Sequence, residues 1–464
     1  MPLILGTNSI KDTGYDVANS CRFEASDSQK MVKTLGTPTS TKIGTVSCWV
    51  KRGSIGVEQH FFGTKQDGND RCSIGFDDSA EGELHIVQED SGSLSYQFKT
   101  TARFRDPSAW LHLVLAIDTT QASASNRVKI YINGTQVTDF ATETQPSQDT
   151  VIRYGISGEE LVVGAKFGGG GSYGTFYSGY LAEVVFIDGQ QLDPTSFGEF
   201  DSDSPTIWKP IDVSGLTFGN NGFYLDFEDS SNLGNDANGG TDLTESNLTS
   251  IDQSTDTCTN NFATLNPLAF EHAGDSLSEG NLRLDGASSG AHNLGIGTIA
   301  VDQGKWWFEA ELDAEGGTYP QIGIRSVDVN NTLGQYVGQI TGGAGYFQSG
   351  GIAVDGSNVV EGGGVATYTT GDIINVGLDL DNNKIYWYKN GTIVNSGGTT
   401  ITNRLYTFAV SQYQNTGHWF CNFGAGTIYS ISSGNADANG FGNFEHAPPS
   451  GYFALCTKNL AEFG

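Results

Sequence analysis

Hydrophobic and polar residues alternate in many short segments of this chain. In residues 45–52 the positions Val46, Cys48 and Val50 fall on one face, and residues 110–118 alternate in the same way. A period of two is the spacing of a β-strand whose two faces meet different surroundings. Residues 180–188 are apolar on both faces, which is typical of a strand in the middle of a sheet. No segment keeps a 3.6-residue period, so the pattern predicts an all-β protein with few, short helices.

Two stretches, residues 115–137 and 377–394, carry nearly the same pattern. Each has an apolar strand, a polar turn, a second alternating strand and then the tripeptide Asn-Gly-Thr. Asn and Gly tolerate the positive φ angles of a two-residue turn, so Asn133-Gly134 and Asn390-Gly391 predict β-hairpins. Because one such hairpin occurs in each half, we predict two antiparallel β-sandwich domains in tandem.

Composition and charge agree with this fold and narrow the function. The 464 residues include 63 glycines, and 11% are aromatic, which is typical of strands joined by tight turns. The 53 acidic residues outnumber the 24 basic ones, so the formal net charge is −29. Such a surface repels phosphate backbones, and we expect no nucleic-acid binding. No apolar run approaches the roughly 18 residues of a membrane span, and we expect no membrane insertion.

The amino-terminal residues and the cysteines bear on where the protein is made. Residues 1–10 lack a basic leader and a small-residue cleavage site, so we expect no signal peptide. The six cysteines form no C-x-x-C pair, which argues against the usual zinc-site spacing. We expect them to be free thiols in a protein made in a reducing cytoplasm.

The first half resembles the laminin-G-like, concanavalin A-type lectin/glucanase family. The matching motifs, in order, are S-C-W-V-K at 47–51, W-L-H-L-V at 110–114, V-K-I-Y-I-N-G at 128–134 and G-Y-L-A-E-V-V-F-I-D at 179–188. The resemblance implies a concanavalin A-like β-sandwich of the jelly-roll type. His112 stands in the W-x-H position of this family, and a hydrogen-bonded structural histidine is the favoured interpretation over a ligand role.

The second half resembles the SPRY domain. Its motifs are G-K-W-W-F-E at 304–309, I-G-I at 322–324, G-D-I-I-N-V-G-L-D-L-D at 371–381, F-A-V-S at 408–411 and N-F-G at 422–424. This resemblance implies a bent two-sheet sandwich whose rim loops bind proteins, and it brings no catalytic residues. We therefore predict a first sandwich with an N-terminal anchor segment over residues 1–227, an acidic linker rich in Asn, Asp, Ser and Thr over 228–268, and a SPRY-like sandwich over 269–464.

Over nearly its whole length the chain resembles structural proteins of tailed bacteriophages, on the opening 5–23, the two domains, the segment 259–268 and the tail 448–460. The resemblance implies a non-enzymatic virion protein made in the host cytoplasm. The leading hypothesis is a tail-fibre or receptor-binding component that contacts a host surface glycan or protein. Its expected partners are other tail or capsid proteins and a host receptor, and a homo-oligomer such as a trimer is expected. The alternative is a capsid decoration or head-fibre protein anchored through residues 2–5.

Candidate binding residues are aromatic and histidine side chains near predicted strand ends. Ligands of a sandwich are usually met by rim loops, because the inner faces are taken up by core packing. Each side chain has an alternative role in closing the core. The predicted binding residues are Tyr173, Phe176, Tyr177, Tyr346, Phe347, Tyr413, His418 and Trp419.

The acidic segment after residue 222 is a candidate calcium site. Oxygen ligands on a loop suit Ca²⁺, but the spacing differs from that of an EF-hand. Asx turns, in which a side-chain oxygen accepts a backbone N–H, explain the same composition. The candidate ligands are Asp226, Asp229, Asp236, Asn238 and Asp242.

One set of carboxylates suggests a different class of function, a glycan-depolymerising spike. Glu311, Asp313 and Glu315 alternate along a predicted strand, so a regular strand would place all three on one face. Retaining glycosidases use two carboxyl groups about 5–5.5 Å apart. The set lies in the SPRY-like half and is followed by two glycines, and for these reasons we predict that the protein is not an enzyme.

Overall fold

The computed structural model describes residues 14–65, 67, 69–77, 82–168, 172–269, 276–286, 292–317, 319–329, 335–413 and 416–464. Within these residues the chain forms 35 β-strands and one α-helix. The chain divides into two compact units, one comprising Thr13–Thr259 and the other Asn260–Gly464. The predicted all-β class is confirmed.

The first unit contains two eight-stranded sheets. In one, the strands lie in the order β10-β9-β8-β3-β15-β1-β20, with β18 also paired to β15. In the other, the order is β11-β7-β6-β5-β4-β12-β2-β19. The strands are β1 (Ser20–Phe23), β2 (Lys30–Thr34), β3 (Ile43–Arg52), β4 (Gln59–Lys65), β5 (Arg71–Asp77), β6 (Glu83–Asp90), β7 (Ser93–Arg103), β8 (Leu111–Asp118), β9 (Val128–Ile132), β10 (Thr135–Gln136), β11 (Phe140–Thr144), β12 (Glu160–Val163), β13 (Lys166–Phe167), β14 (Tyr173–Gly174), β15 (Gly179–Asp188), β16 (Gly198–Phe200), β17 (Trp208–Pro210), β18 (Phe223–Leu225), β19 (Thr244–Ser246) and β20 (Gln253–Ser254).

The second unit contains a nine-stranded and a six-stranded sheet. The nine-stranded sheet follows the order β21-β22-β34-β24-β29-β30-β31, with β32 on β30 and β35 parallel to β24. The six-stranded sheet follows β23-β33-β25-β26-β27-β28. The elements are β21 (Ser276–Ser278), β22 (Arg283–Asp285), β23 (His292–Ile296), β24 (Lys305–Glu315), β25 (Gln321–Ser326), β26 (Gly343–Phe347), β27 (Ile352–Val354), β28 (Ser357–Val360), β29 (Ile373–Asp379), β30 (Lys384–Lys389), β31 (Thr392–Ile393), β32 (Thr399–Thr400), β33 (Tyr406–Tyr413), β34 (Gly417–Asn422), β35 (Phe453–Ala454) and α1 (Thr457–Phe463).

Each unit is a sandwich, because side chains from its two sheets share one core. In the first unit, Phe62 of β4 and Phe223 of β18 come from different sheets, and their ring centroids are 6.4 Å apart. In the second unit, Phe308 of β24 stacks on Phe408 of β33 at 5.0 Å. The alternation predicted for residues 45–52 is confirmed, since Val46, Cys48 and Val50 all enter the first core.

The predicted hairpins are confirmed at both Asn-Gly pairs. Asn133 and Gly134 have φ angles of 46° and 76°, and Asn390 and Gly391 have 47° and 74°. The flanking residues pair directly, Ile132 with Thr135 in the first unit, so each turn contains two residues. Such left-handed conformations are the reason for the Asn-Gly sequence.

The segment predicted as a linker, 228–268, differs from the observed division of the chain. Its strand β19 pairs with β2, and β20 pairs with β1, so both belong to sheets of the first unit. The change of unit falls between Thr259 and Asn260. Strands β19 and β20 are only three and two residues long and lie in a segment rich in Gly, Asn and Asp. For this reason the sequence pattern did not predict them.

His112 and five of the six cysteines occupy buried positions. All six cysteines are free, and five of them are buried. His112 Nδ1 accepts a hydrogen bond from Trp208 Nε1 at 2.9 Å, and its Nε2 lies 2.9 Å from Ser47 Oγ. Burial lowers the pKa of His112 to about 3, so the ring is neutral. His112 is therefore a structural histidine, as the sequence favoured. In the described part of the chain, no helix has the length and apolar character needed to cross a membrane.

Candidate binding sites

One end of the first unit's second sheet presents a polar outer face. Along β2 the side chains alternate, with Met31 in the core and Lys30, Val32 and Thr34 on the other side. On one side of β2, β19 places Thr244 opposite Val32 and Ser246 opposite Lys30. On the other, β12 places Glu160 opposite Thr34. Paired residues of antiparallel strands point to the same face, so these side chains share one surface.

A short hairpin formed by β13 and β14 packs on this face. Val162, Ala165 and Phe167 are buried there, and Val32, Tyr173 and Phe176 pack against them as half-buried side chains. The ring centroids of Phe167 and Tyr173 are 4.5 Å apart. This apolar floor supports Tyr173 at the edge of the polar surface.

The hairpin, β2 and the 241–246 segment enclose a cleft of about 610 Å³, which we call the Tyr173 cleft. This volume is in the range of small-ligand sites, and an apolar floor with a few polar groups is typical of such sites. The lining residues are Lys30, Val32, Lys33, Thr34, Glu160, Tyr173, Thr241, Asp242, Thr244 and Ser246.

Tyr173 connects the two charged ends of the cleft. Its hydroxyl lies 3.4 Å from Glu160 Oε2, and Lys30 Nζ lies 4.7 Å from its ring centroid. Burial, helped by the Glu160 charge, raises the pKa of Tyr173 to about 12, so its hydroxyl donates to Glu160. The Lys30 contact is a cation–π interaction, which holds the ammonium over the ring.

The other charges of the cleft are bound within the protein. Lys33 Nζ lies 3.6 Å from Asp236 Oδ2, and burial is the main cause that lowers its pKa. Asp242 accepts hydrogen bonds on both oxygens, from Asp236 N at 3.0 Å and from Asn232 Nδ2 at 2.9 Å. These bonds lower the pKa of Asp242, so its carboxylate is ionised, and each of its oxygens already accepts a hydrogen bond from the protein.

The predicted binding residues of the first unit have different fates. The structure brings Tyr173 and Asp242, predicted for separate sites, into one cleft, with Phe176 packed against its floor. Tyr177 is a correction: it is fully buried, and its hydroxyl donates to Lys51 O at 2.7 Å. The flanking Gly179 explains the burial, because its missing Cβ leaves room for the Tyr177 hydroxyl.

Sequence reasoning missed most of the cleft lining. Lys30, Thr244 and Ser246 lie on two short neighbouring strands more than 200 positions apart in sequence, and no local motif marks them. The alternation of Lys30, Val32 and Thr34 around the buried Met31 was a usable signal for an outer face at β2. The identity of its partner strand was not readable from sequence, because β19 has only three residues.

In the second unit, Tyr346 and Trp419 are also corrections. Both are fully buried, and Trp419 Nε1 donates to Ser411 O at 3.1 Å. The Tyr346 hydroxyl donates to Ala366 O, and its ring packs on Tyr368. Their rings fill the core between the two sheets, so as placed neither is accessible to a ligand.

The remaining predicted residues of the second unit are partly exposed. Phe347 contacts Tyr336, with ring centroids 5.5 Å apart, and Tyr413 contacts His292 at 4.9 Å. His418 Nδ1 lies 2.7 Å from Asp285 Oδ1. An aromatic rim at one end of the six-stranded sheet is formed by five rings in contact with one another, those of Phe347, Tyr336, His292, Tyr413 and Tyr319.

The candidate calcium ligands hold turns instead of converging on one point. Asp226 Oδ1 accepts from Glu228 N at 3.1 Å, and Asp229 Oδ1 accepts from Ser231 N at 2.9 Å, which are Asx turns. Asp236 is buried and pairs with Lys33, while Asn238 is exposed. Among the described residues, no group of three or more His, Cys, Asp or Glu side chains could hold a metal ion.

The candidate catalytic carboxylates do not share a face. Strand β24 has a bulge between Leu312 and Ala314, so Leu312 pairs with Trp419 while Ala314 pairs with His418. Trp419 points into the core, so the bulge places Glu311 and Glu315 on opposite sides of the sheet. The expectation of one shared face is therefore wrong, and the arrangement does not provide the paired carboxyl groups of a retaining glycosidase.

The buried acid of this strand is Glu309, which the sequence did not single out. Its two oxygens accept from five donors, including Tyr429 OH at 2.8 Å, Asn422 Nδ2 at 2.9 Å and Asn375 Nδ2 at 2.9 Å. The other two donors are the backbone N–H groups of Glu445 and His446. Burial raises the pKa of Glu309 to about 7 against the effect of these donors. With every oxygen occupied, Glu309 ties the 429–446 segment to the sheet.

Comparison with known proteins agrees with this architecture. Residues 26–192 match the family model of the concanavalin A-like lectin/glucanases superfamily. Among solved structures, the chain is similar to the SPRY domain of human HERC1, at 17% identity and TM-score 0.29, covering 34% of this chain and 96% of that one. It is also similar to a human SPRY domain, at 15% identity and TM-score 0.26, covering 32% and 94%. A search of curated proteins found no match.

A third similar structure is the heptameric SAP-like pentraxin of Limulus polyphemus. The identity is 14% and the TM-score 0.29, with 39% of this chain and 80% of that chain covered. The observed sheets and the matched family model agree on a concanavalin A-like jelly-roll sandwich fold. Folds of this kind generally serve in binding.

Proposed function

We propose that this protein is a non-enzymatic virion structural protein, a tail-fibre or receptor-binding component that contacts a host surface glycan through the Tyr173 cleft. The cleft is the observation that carries the proposal. It presents an aromatic ring, hydroxyl groups of three threonines and a serine, and both donors and acceptors on one open surface. Sugars offer apolar ring faces and many hydroxyl groups, and such a surface matches both.

The virion context of the proposal is supported by the phage-like arrangement of motifs along the chain. In this proposal the protein is made in the host cytoplasm and then joins other tail or capsid proteins, with a homo-oligomer, such as a trimer, as its assembled form. Six free cysteines suit synthesis in a reducing compartment.

Binding is tested with purified full-length protein and cells or envelope polysaccharide of the host. Tyr173→Ala should lose binding, whereas Tyr173→Phe should keep most of it, because the ring stays in place. Phe200→Ala is the matched control, since Phe200 is an exposed aromatic residue of the same unit outside the cleft. Unchanged binding by Tyr173→Ala, with its melting temperature preserved, would overturn the assignment of this cleft.

Location is tested separately. Antibody labelling of purified phage particles, viewed by electron microscopy, should mark the tail. Labelling of the head would replace the tail assignment with the capsid-decoration alternative. Absence of the protein from purified particles, measured by mass spectrometry, would overturn the virion proposal.

A further inference from the structure

The Tyr173 cleft has charged groups of opposite sign at its two ends. Lys30 lies at the Ser246 end of β2, and Glu160 lies beside Thr34 at the other end. Lys30 and Thr34, the cross-strand neighbour of Glu160, are four residues apart on β2, which corresponds to a Cα–Cα distance of roughly 13 Å. The cleft is therefore bipolar, and a ligand of two or more sugar units would meet different chemistry at each end.

Lys30 is the cation of the cleft without an internal counter-charge. In the described part of the chain, no carboxylate lies within ion-pairing distance of Lys30, whereas Lys33 is paired with Asp236. The two oxygens of Asp242 are occupied by N–H donors. The Lys30 ammonium thus keeps hydrogen-bond donors for a ligand while its contact with Tyr173 holds it in position.

The opposite end of the cleft carries the acid Glu160. Glu160 accepts the Tyr173 hydroxyl, and its cross-strand neighbour in β4 is Lys65. Lys65 Nζ lies 4.4 Å from the Phe167 ring centroid and 5.9 Å from that of Tyr173. An acid group on a ligand would be repelled by Glu160 at this end and attracted by Lys30 at the other.

We infer that the Tyr173 cleft selects saccharides that carry an anionic group, a carboxylate or a sulfate, and that it binds them in one orientation. The anionic group pairs with Lys30 beside the hydroxyls of Thr244 and Ser246, a sugar ring packs on Tyr173, and neutral hydroxyls face Glu160. A charge-assisted contact to a positioned ammonium is stronger than a neutral one, which makes Lys30 the specificity-determining residue. This inference rests on the proposed function, because it names the ligand class of the same cleft.

The net charge of −29 distinguishes this contact from general attraction to the protein. The net negative charge of the protein repels an anion. Selectivity for an acidic saccharide must therefore come from the contact between Lys30 and the anionic group of the ligand. At physiological ionic strength, charges more than about 8 Å away are largely screened, while a contact at Lys30 is not.

The test is isothermal titration of the full chain with a matched pair of probes, a uronic acid oligosaccharide and the same oligosaccharide after carboxyl reduction. We expect the acidic form to bind about tenfold more tightly. Lys30→Gln should remove most of this preference, while Lys129→Gln, which removes one cation elsewhere in the same unit, should leave it unchanged. Glu160→Gln should keep the preference or increase it, because it removes the repelling charge.

Two further probes identify the source of the negative charge. Sulfated dextran should compete with the uronic acid oligosaccharide, whereas unmodified dextran should not. If inorganic sulfate competes equally well, the cleft is a simple anion site, and the inference is overturned. If both forms of the oligosaccharide bind equally and Tyr173→Ala abolishes both, the selectivity is overturned while the proposed function stands.

Discussion

The same hairpin occurs in both units, and its hydrogen bonds are nearly identical. Asn133 Oδ1 accepts from His112 N at 2.8 Å, and Asn390 Oδ1 accepts from Ile373 N at 2.9 Å. The surroundings differ, since Gly134 packs against Trp208 and Gly391 packs against His446. Local sequence therefore sets the turn in each unit, whereas distant segments decide what covers it.

The two units differ more in the fate of their aromatic residues. Tyr173 of the first unit stands on an apolar floor and lines an open cleft. Tyr346 and Trp419 of the second unit fill the space between the sheets. Exposure is thus not a property of an aromatic residue near a strand end but of what the opposite sheet leaves uncovered.

A similar contrast separates the buried glutamates of the two units. Glu183 lies at a bulge of β15 with a φ angle of 49°, and Tyr224 OH lies 2.9 Å from each of its oxygens. Burial raises its pKa to about 8, and nearby carboxylates such as Asp226 add to the rise. Glu309 is also buried, and burial raises its pKa to about 7 although its hydrogen-bond donors act in the opposite direction. Hydrogen-bond donors therefore offset part of the cost of burying a carboxyl group.

The largest expected effect tests the buried aromatic residues of the second unit. Trp419→Ala should lower the free energy of unfolding by about 3–5 kcal/mol, because it opens a cavity between the two sheets. Urea denaturation of the full chain, followed by circular dichroism, measures this loss. Phe420→Ala is the control, since Phe420 points to the other face of the same strand and is half-buried. Equal losses for both variants would contradict the core assignment of Trp419.

A smaller loss is expected for Glu309→Gln. Both oxygens of Glu309 face donors, so either orientation of the new amide would turn its NH₂ group toward donors. An unsatisfied buried group of this kind costs about 1–3 kcal/mol. The same denaturation experiment measures the change, and Glu311→Gln, a half-buried neighbour on the strand, serves as the control. If Glu309→Gln lowers the free energy of unfolding by no more than Glu311→Gln does, the five donors are satisfied equally well by an amide, and the carboxyl group of Glu309 is not required.

The hairpins should respond equally to substitution. Asn133→Ala and Asn390→Ala place alanine in the left-handed region at φ near 46–47°, which costs about 1–2 kcal/mol. Each also loses one hydrogen bond from a backbone N–H. Asn→Gly at the same positions is the control, because glycine adopts this conformation freely. Unequal losses of stability would show that the packing of Trp208 and His446 on the turns contributes more to hairpin stability than the turn conformation does.

The dependence of stability on pH should isolate Glu183. The folded pKa of about 8 lies above the ordinary value of 4.5, so the folded state binds more protons and loses stability as the pH rises through this range. Glu159 and Glu309, whose pKa values burial raises to about 7, contribute in the same direction and mainly below pH 7, so Glu183 makes the largest contribution of these three carboxyl groups between pH 7 and pH 8. Its limit is about 1.4 kcal/mol per pH unit.

The matched variant for this measurement is Glu183→Gln, compared with wild type by denaturation at pH 7 and pH 8. The variant should flatten the slope between these two values, because glutamine does not titrate. A slope that is unchanged in the variant would show that another group titrates in this window.

The sequence determined the all-β class, the two hairpin turns and the presence of two sandwiches. Alternation, hairpin turns and strand motifs depend on neighbours within about ten positions, and all of these are present in the local pattern. For the same reason the apolar faces of β3 and β8 were predicted correctly.

Only the tertiary structure decided which predicted residues line the cleft and which are buried in the core. Tyr173 became part of a cleft because β19, some 70 residues later, pairs with β2 and supplies the opposite wall. Tyr177, Tyr346 and Trp419 became core residues because the facing sheet covers them. The bulge in β24 places Glu315 on the face opposite to that of Glu311, although acidic residues alternate regularly with apolar ones in this part of the sequence. Pairing over long sequence distances and single-residue shifts in register leave no local trace in the sequence, and for this reason the cleft could be recognised only in the folded chain.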